Sequence, residues 1–386
     1  MGIEFTYLSG ADIDRLALDE DAILGAVEDG LSAQGGGRAV IEPRTHLFPG
    51  GTGRGHFNVL RGSIPEMGVA GVKVVGDFID NHLLGLPSEM ALLLLFDPDT
   101  GMPVAVLDAT AITEMRTGAV TALGARHLAR GSSRVVGHVG SRGTAYWNVR
   151  LLAHLFDLEE IRVHSLRPES RTAFAGRLAD DLGRPVAAVD SWEECVRGAD
   201  IVIEATRLAE PEPLLRTEWI ESGALVIPYG TVSAVELSLT DVADKVVVDD
   251  WGQATVGPLG SLRRHVDSGR ITRETLHAEL GEIVAGLRPG RESDAETILF
   301  WHRGLSLSDI ALGHAGGRGP AGRGPAAALP GVTRADAGTR TPDPIITSDV
   351  LYQLSYVGVP PGGHPARGRA KDSGRPRGPH WRFCDG

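Results

Sequence analysis

This chain of 386 residues has few cysteines, and it lacks long apolar runs and an excess of basic residues. Its two cysteines, Cys195 and Cys384, cannot supply a disulfide framework or a cysteine-type zinc site. The longest apolar run, residues 91–96, is far shorter than the roughly 20 residues that span a bilayer. The net charge of −12 argues against a nucleic-acid or acidic-membrane binder.

The first residues also lack the basic start and the apolar core of a secretory signal. Together these absences favour a globular protein that stays in the reducing cytoplasm. We therefore expect neither a membrane nor a nucleic-acid partner.

Residues 315–386 differ from the rest in composition. Glycine and proline make up about one third of them, the level of low-complexity sequence. They hold 10 basic and 5 acidic residues, so residues 1–314 keep 28 basic and 45 acidic residues and a net charge of −17. We expect this tail to be disordered. Residues 338–358 resemble a peptide found in conceptual translations of transfer-RNA genes, which favours a read-through tail over a genuine tail with a short binding segment.

The pattern of the body indicates an α/β fold. Apolar runs at 91–96 and 104–107 flank Asp97–Gly101 and predict a β-hairpin, and a long helix follows at 110–130. From residue 133 onwards, short apolar strands alternate with helical stretches, which indicates βαβ units and a doubly wound parallel sheet. One further helix is predicted over residues 273–285.

A glycine-rich loop follows the first strand of this second region. Strand residues up to Val139 run into Gly140, Ser141, Arg142, Gly143, Thr144 and Ala145, where a helix begins. Amide groups at such a helix start bind the pyrophosphate of a dinucleotide, and glycine lets the ligand approach the backbone. Arg142 stands where the second glycine of the usual pattern would be, so it either reshapes the loop or contacts a phosphate. The alternative is a plain strand-to-helix turn.

The end of the next strand bears on the choice between NAD and NADP. An Asp or Glu about 20 residues after the loop binds the ribose hydroxyl of NAD. Here Ser165 and Arg167 occupy this stretch, and no carboxylate would repel a 2′-phosphate. We therefore favour NADP over NAD; a solvated loop charge is the other interpretation of Arg167.

Three separated cations in the N-terminal region, Arg44, Lys73 and Arg116, each lie beside a predicted strand or helix. Arginine binds carboxylates with two parallel hydrogen bonds, and a lysine in a partly apolar site loses its proton readily. Spacing alone does not distinguish such ligands from surface charges.

A set of motifs resembles the ornithine cyclodeaminase/mu-crystallin family. The motifs occur in order over residues 5–314 and are Pro43–Thr45, Gly71–Lys73, Gly85–Ser88, Leu94–Asp97, Leu107–Thr110, Arg116–Gly118, Gly198–Ile201 and Glu279–Glu282.

This resemblance implies a Rossmann domain at 126–302, set between a substrate and dimerisation domain at 1–125 and a return segment at 303–314. It also implies a homodimer that binds NAD or NADP. Arg44 and Arg116 match the family's carboxylate-binding arginines, and Lys73 matches the lysine at the reacting carbon. The return segment contains Gly304 and Asp309.

One departure from the family's pattern affects the expected chemistry. Cyclodeaminases carry an aspartate after a Rossmann strand, and Val232 stands there in this chain. Valine cannot accept a proton, whereas hydride transfer at an α-carbon does not need this aspartate. We predict an NAD(P)-dependent oxidoreductase that acts on a small amino, imino or keto acid bearing a carboxylate. The alternatives are a true ornithine cyclodeaminase, which forms proline and ammonia, and a non-catalytic NADPH-dependent ligand-binding protein.

Overall fold

The computed structural model of this chain describes residues 4–50, 54–141, 143–208, 210–318 and 334–336. Arg142 lies outside the described residues, and so does most of the tail for which we predicted disorder. No helix in the described ranges is long and apolar enough to cross a membrane.

The first sheet is mixed and carries the N-terminal region. Its strands are β1 (Glu4–Leu8), β2 (Val40–Leu47), β3 (Gly55–Ile64), β4 (Val69–Phe78), β5 (Glu89–Phe96) and β6 (Pro103–Asp108), joined by β15 (Arg334–Asp336). Their order is β15-β1-β6-β5-β4-β3-β2, and only β1 and β6 are parallel. The predicted hairpin is confirmed as β5 and β6. Strand β2 was not predicted, because its Pro43 interrupts the strand pattern.

The second sheet is parallel throughout. Its strands are β7 (Val135–Val139), β8 (Glu160–His164), β9 (Ala187–Ala188), β10 (Ile201–Glu204), β11 (Leu225–Pro228), β12 (Lys245–Val248), β13 (Ala278–Glu279) and β14 (Ile298–Trp301). Their order is β13-β12-β14-β11-β10-β7-β8-β9. The chain therefore reverses direction across the sheet between β7 and β10, where doubly wound sheets bind ligands. The predicted α/β fold with a Rossmann-type sheet is confirmed.

Ten α-helices surround the two sheets in the described ranges. They are α1 (Gly10–Arg15), α2 (Glu20–Gly35), α3 (Thr110–Leu128), α4 (Ala145–Leu155), α5 (Pro168–Leu182), α6 (Trp192–Val196), α7 (Trp251–Thr255), α8 (Arg263–Asp267), α9 (Leu280–Val284) and α10 (Ser306–Arg318).

The helix predicted over residues 273–285 is wrong, because only α9 forms there. Residues 278 and 279 pair with β12 instead, and a capping box between Glu279 and Glu282 starts the helix at Leu280.

Two glycines place α10 on the first sheet. A Cβ added at Gly71 would lie 2.8 Å from Ile310 Cγ1, and one at Gly62 would lie 2.9 Å from Ser306 Oγ. The helix therefore rests directly on the backbone of β3 and β4. This close approach brings Asp309, on α10, to the middle of the sheet.

Candidate functional site

A cleft of about 1480 Å³ lies between one face of the first sheet and the carboxyl ends of the second. It is lined by Arg44, Lys73, Arg116, Gly140, Ser141, Gly143, Thr144, Ser165 and Arg167, all proposed from the sequence. Ala145 is buried behind the loop as the first residue of α4. The fold thus gathers residues that are up to 123 positions apart in sequence.

The sheet face in the cleft carries three successive rows of side chains. The register groups Leu60, Lys73 and Leu93 in the first row, Asn58, Val75 and Ala91 in the second, and His56, Asp77 and Glu89 in the third. The third row is crossed by Arg207, from the second-sheet side, which pairs with Asp77 at 2.7 Å and also with Glu89. The cleft is therefore cationic at the first row and mainly acidic at the third.

Lys73 has no exposed side-chain surface, and its amine has two protein partners. Nζ donates to Asp309 Oδ1 at 2.6 Å and to Thr113 Oγ1 at 3.2 Å. Burial, and secondly the charge of Arg116, lower the pKa of Lys73 to about 7, against the opposing effect of Asp309. Both protonation states of this amine are accessible near neutral pH.

Arg116 lies beside Lys73 and shares its carboxylate partner. Its Nε donates to Asp309 Oδ1 at 2.8 Å, which leaves the two terminal nitrogens for other acceptors. The guanidinium lies against Gly304, whose φ is +80° and where any added Cβ would overlap it. Glycine at 304 is thus required both by the backbone and by the arginine.

Arg44 is held more tightly than the sequence suggested. Nε donates to Gln253 Oε1 at 3.1 Å, and Nη2 donates to the carbonyls of Arg303 and Gly304 at 2.7 and 2.6 Å. Burial lowers the pKa of Arg44 to about 10. Only Nη1 lacks a hydrogen bond to a described residue, so Arg44 offers less to a carboxylate than Arg116 does.

A buried carboxylate, that of Asp249, binds the amides of the same turn whose carbonyls accept from Arg44. Asp249 Oδ2 accepts from the amides of Arg303 and Gly304 at 2.7 and 2.8 Å. Burial raises the pKa of Asp249 to about 6. The return segment is therefore anchored to the end of β12.

The glycine loop has the geometry of a phosphate-binding turn. Gly140 has a φ of +111°, and a Cβ there would lie 2.7 Å from the carbonyl oxygen of Ala205. Gly143 has a φ of +54° and faces open space. Thr144 makes no side-chain cap, so the amides that begin α4 stay available to a ligand. These residues fit a dinucleotide pyrophosphate.

A hydrogen-bonded chain that the sequence did not predict supports this loop. His138 Nδ1 and the Gly140 carbonyl are 2.9 Å apart, and Asn148 Nδ2 lies 2.9 Å from His138 Nε2. Asn148 also donates to the hydroxyl of Tyr229, which lies 2.6 Å from Thr144 Oγ1. The chain links the loop to the end of β11, and its only sequence signal was a polar residue inside an apolar strand.

The rim beyond β8 carries the residues that bear on the choice between NAD and NADP. Ser165 Oγ donates to the carbonyl of Arg167 at 3.3 Å. Arg171 pairs with Asp190, whereas Arg167 forms no ion pair with a described residue. The exposed guanidinium of Arg167 is thus open to an anion.

Val232 and His46 differ in their relation to the cleft. Val232 is half-buried in the loop after β11 and does not line the cleft. His46 does line the cleft, but burial lowers its pKa to about 4, so it is neutral and a poor proton donor at neutral pH. Among the described residues, no three His, Cys, Asp or Glu side chains are grouped so as to hold a metal ion.

Comparison with known proteins agrees with this geometry. The model of the ornithine cyclodeaminase/mu-crystallin family matches residues 7–315. The chain is 33% identical to an alanine dehydrogenase from Archaeoglobus fulgidus, over 80% of this chain and 93% of that one.

Two solved structures share its fold. One is the Δ1-pyrroline-2-carboxylate reductase of Thermococcus litoralis in complex with NADH and L-proline, with a TM-score of 0.75 and 28% identity over 81% of this chain and 96% of that one. The other is an archaeal alanine dehydrogenase dimer with bound NAD, with a TM-score of 0.74 and 31% identity over 81% of this chain and 95% of that one. The predicted resemblance is confirmed, and the chain belongs to the ornithine cyclodeaminase/mu-crystallin family.

Proposed function

We propose that this protein is an NAD(P)-dependent oxidoreductase that acts at the α-carbon of a small amino, imino or keto acid. One observation carries the proposal: a buried lysine and two arginines meet in the same cleft as a glycine loop that fits a dinucleotide. Relatives named as dehydrogenases and reductases of such acids support it.

Different residues of the cleft bind the substrate, exchange a proton with it and bind the cofactor. Arg116, through its two terminal nitrogens, and Arg44, through Nη1, hold the carboxylate of the substrate. Lys73 polarises the carbon–nitrogen or carbon–oxygen bond and exchanges a proton with its heteroatom. A bound nicotinamide dinucleotide would supply or take up the hydride, and Gly140, Ser141, Gly143 and Thr144 would hold its pyrophosphate.

NADP is the favoured cofactor. The end of β8 presents Ser165 and the exposed side chain of Arg167, and a guanidinium there attracts a 2′-phosphate. Replacing Arg167 by Ala should raise the dissociation constant of NADPH about fivefold, as for an exposed ion pair, and leave that of NADH unchanged. Equal changes for both cofactors in a fluorescence titration would contradict the preference for NADP.

A homodimer is also proposed. The face of the first sheet opposite the cleft has an apolar centre, which consists of Tyr7, Val59, Val72, Val74, Leu92, Leu94 and Val106. Arg61 and Asp108 lie beside it on the same face. Leu92 and Tyr7 are about half exposed, at 51% and 45%. An apolar sheet face of this extent is typical of a surface that a second copy covers.

A cofactor and substrate scan tests the function. NADH and NADPH are titrated first, and α-keto acids are then supplied with and without ammonia or methylamine while the absorbance of the reduced cofactor is followed. We expect turnover of at least one short keto or imino acid. Cofactor binding without turnover would instead favour the ligand-binding protein. Formation of proline and ammonia from ornithine would contradict the inference from Val232.

A further inference from the structure

The amine of Lys73 has three positions besides its bond to carbon, and protein groups take two of them. Nζ donates to Asp309 Oδ1 and to Thr113 Oγ1. The Thr113 hydroxyl gives its own proton to the carbonyl of Ala109 at 2.7 Å, so towards Lys73 its oxygen can only accept. Both contacts therefore use N–H bonds of Lys73.

Either protonation state of the amine keeps these two contacts. An ammonium group has three N–H bonds and presents the third, whereas a neutral amine has two N–H bonds and presents its lone pair. Lys73 can therefore give up or accept one proton at the third position while its contacts with Asp309 and Thr113 persist.

The carboxylate of Asp309 is itself held in one position. Its carboxylate has no exposed surface, and Oδ1 also accepts from Arg116 Nε at 2.8 Å. The helix that carries it rests on the glycines of β3 and β4. One oxygen atom thus fixes the spacing between the polarising amine and the carboxylate-binding guanidinium.

We propose that Asp309 and Thr113 are positioning residues that direct the third position of the Lys73 amine towards the heteroatom on the substrate's reacting carbon. The identity of that heteroatom rests on the proposed function, but the geometry of the amine does not. In the reductive direction an N–H bond of the ammonium breaks and its proton forms a bond to the substrate nitrogen or oxygen. The hydride would come from a reduced nicotinamide, whose ring C–H bond breaks as the new C–H bond forms at the α-carbon. Oxidation reverses both transfers.

The charges around Lys73 determine in which direction its pKa changes when one of them is removed, and this direction can be measured. The charged groups that act on it are Arg116 from α3, Asp309 from α10 and Glu89 from β5. Asp309 raises the pKa of Lys73 against burial and Arg116. Removing the negative charge of Asp309 must therefore lower the pKa of Lys73 still further.

Competitive labelling with trace acetic anhydride measures this pKa without substrate or cofactor. The chain contains three lysines, so mass spectrometry resolves Lys73, with the ion-paired Lys245 as reference. In the wild type the labelling midpoint of Lys73 should lie near pH 7. In Asp309→Asn it should fall by about one pH unit or more.

A merely structural role for Asp309 predicts the opposite sign. If the substitution only loosened the fold, Lys73 would become solvated and its midpoint would rise towards about 10.4. A rise or an unchanged midpoint in Asp309→Asn overturns the proposal. Absence of labelling of wild-type Lys73 at every pH overturns it too, because the third position would then not face the cleft.

Thr113 has a matched control on the same helix. Thr117 Oγ1 donates to the carbonyl of Thr113 at 2.7 Å, the same kind of bond that Thr113 makes, yet it does not contact Lys73. Thr113→Val should lower the labelling midpoint and Thr113→Ser should restore it, whereas Thr117→Val should leave it unchanged. Equal effects of the two valine variants would overturn the role of Thr113. The labelling needs no turnover, so a failure of the proposed redox function would leave these midpoints as they are.

Discussion

A lysine with a pKa of about 7 makes the direction of catalysis depend on pH. Reduction uses the ammonium form of Lys73 and oxidation uses the neutral amine. The kcat/KM of reduction should therefore fall as the pH rises through about 7, and that of oxidation should rise over the same range.

Two variants assign this pH dependence. Glu114 lines the same cleft, and burial raises its pKa to about 7, so it could also cause a change in kcat/KM near this pH. If Lys73 causes the change, Glu114→Gln should show the same dependence of kcat/KM on pH as the wild type. Lys73→Ala should lose roughly 10²–10⁴-fold in rate and keep its affinity for cofactor. If kcat/KM of Lys73→Ala still changed with pH around 7, Lys73 would not be the group that transfers the proton.

Gly304 gives a second prediction at the scale of one residue. Ala at 304 would place a Cβ on the Arg116 guanidinium, so the arginine must move. The KM for a carboxylate substrate should rise about 10- to 100-fold, the loss expected for hydrogen bonds to a charged group.

Gly269 is the matched control for Gly304. Its φ of +75° is similar, and nothing lies within 4 Å of an added Cβ. Both alanine variants should lose about 1–2 kcal/mol of unfolding free energy through backbone strain, but Gly269→Ala should keep its KM. A matching rise in KM for both would show that strain, and not contact with Arg116, is responsible.

At the scale of elements, α10 sets the site through its distance from β4. Ala at 71 would push against Ile310, the neighbour of Asp309, and would lift the helix from the sheet. We expect Gly71→Ala to lower kcat/KM at least about tenfold and to destabilise the fold by about 1–3 kcal/mol, as overpacking does. Activity and thermal unfolding measure the two effects.

Gly76→Ala, on the same strand, is the control for Gly71→Ala: it changes the strand propensity in the same way but adds no contact with α10. A Cβ there would lie 3.3 Å or more from its nearest neighbours, which are phenylalanine side chains that can shift. Gly76→Ala should therefore keep both activity and stability. Wild-type activity in Gly71→Ala would mean that the contact between α10 and β4 does not position Lys73.

These elements also show how far sequence reasoning reaches. Apart from β13, the strands of the second sheet were predictable because each is a short apolar run between turns. Strand β2 and the interrupted region before α9 were not, since pairing with neighbouring strands decided them against the local pattern.

In the candidate site, too, some residues could be predicted from the sequence and others could not. Motifs indicated Lys73, Arg116 and the glycine loop, each of which lies at the end or middle of a regular element. Their shared partner Asp309 is 236 positions from Lys73 and 193 from Arg116, and no periodicity indicates such a contact. The Tyr229 chain was hidden for the same reason.

At the scale of the whole molecule, the two faces of the first sheet serve different purposes. The face with Lys73 closes the cleft, while successive residues on the same strands point outward and are apolar. This alternation would be costly in a monomer, because the outward residues of β4 and β5 would meet water. The alternation thus favours the proposed dimer.

The dimer can be tested by charging the centre of that outer face. Leu92 is 51% exposed on β5, near the middle of the strand order, and Glu there would have to be buried unpaired between two copies. Leu92→Glu should shift sedimentation from dimer to monomer. Leu287, which is 63% exposed, follows α9 and belongs to no strand of the first sheet, provides the control, since Leu287→Glu adds the same charge outside this face. If Leu92→Glu sediments as the wild type does, the apolar face is not the dimer interface; if it becomes monomeric and also loses activity, the strands of the site depend on the second copy.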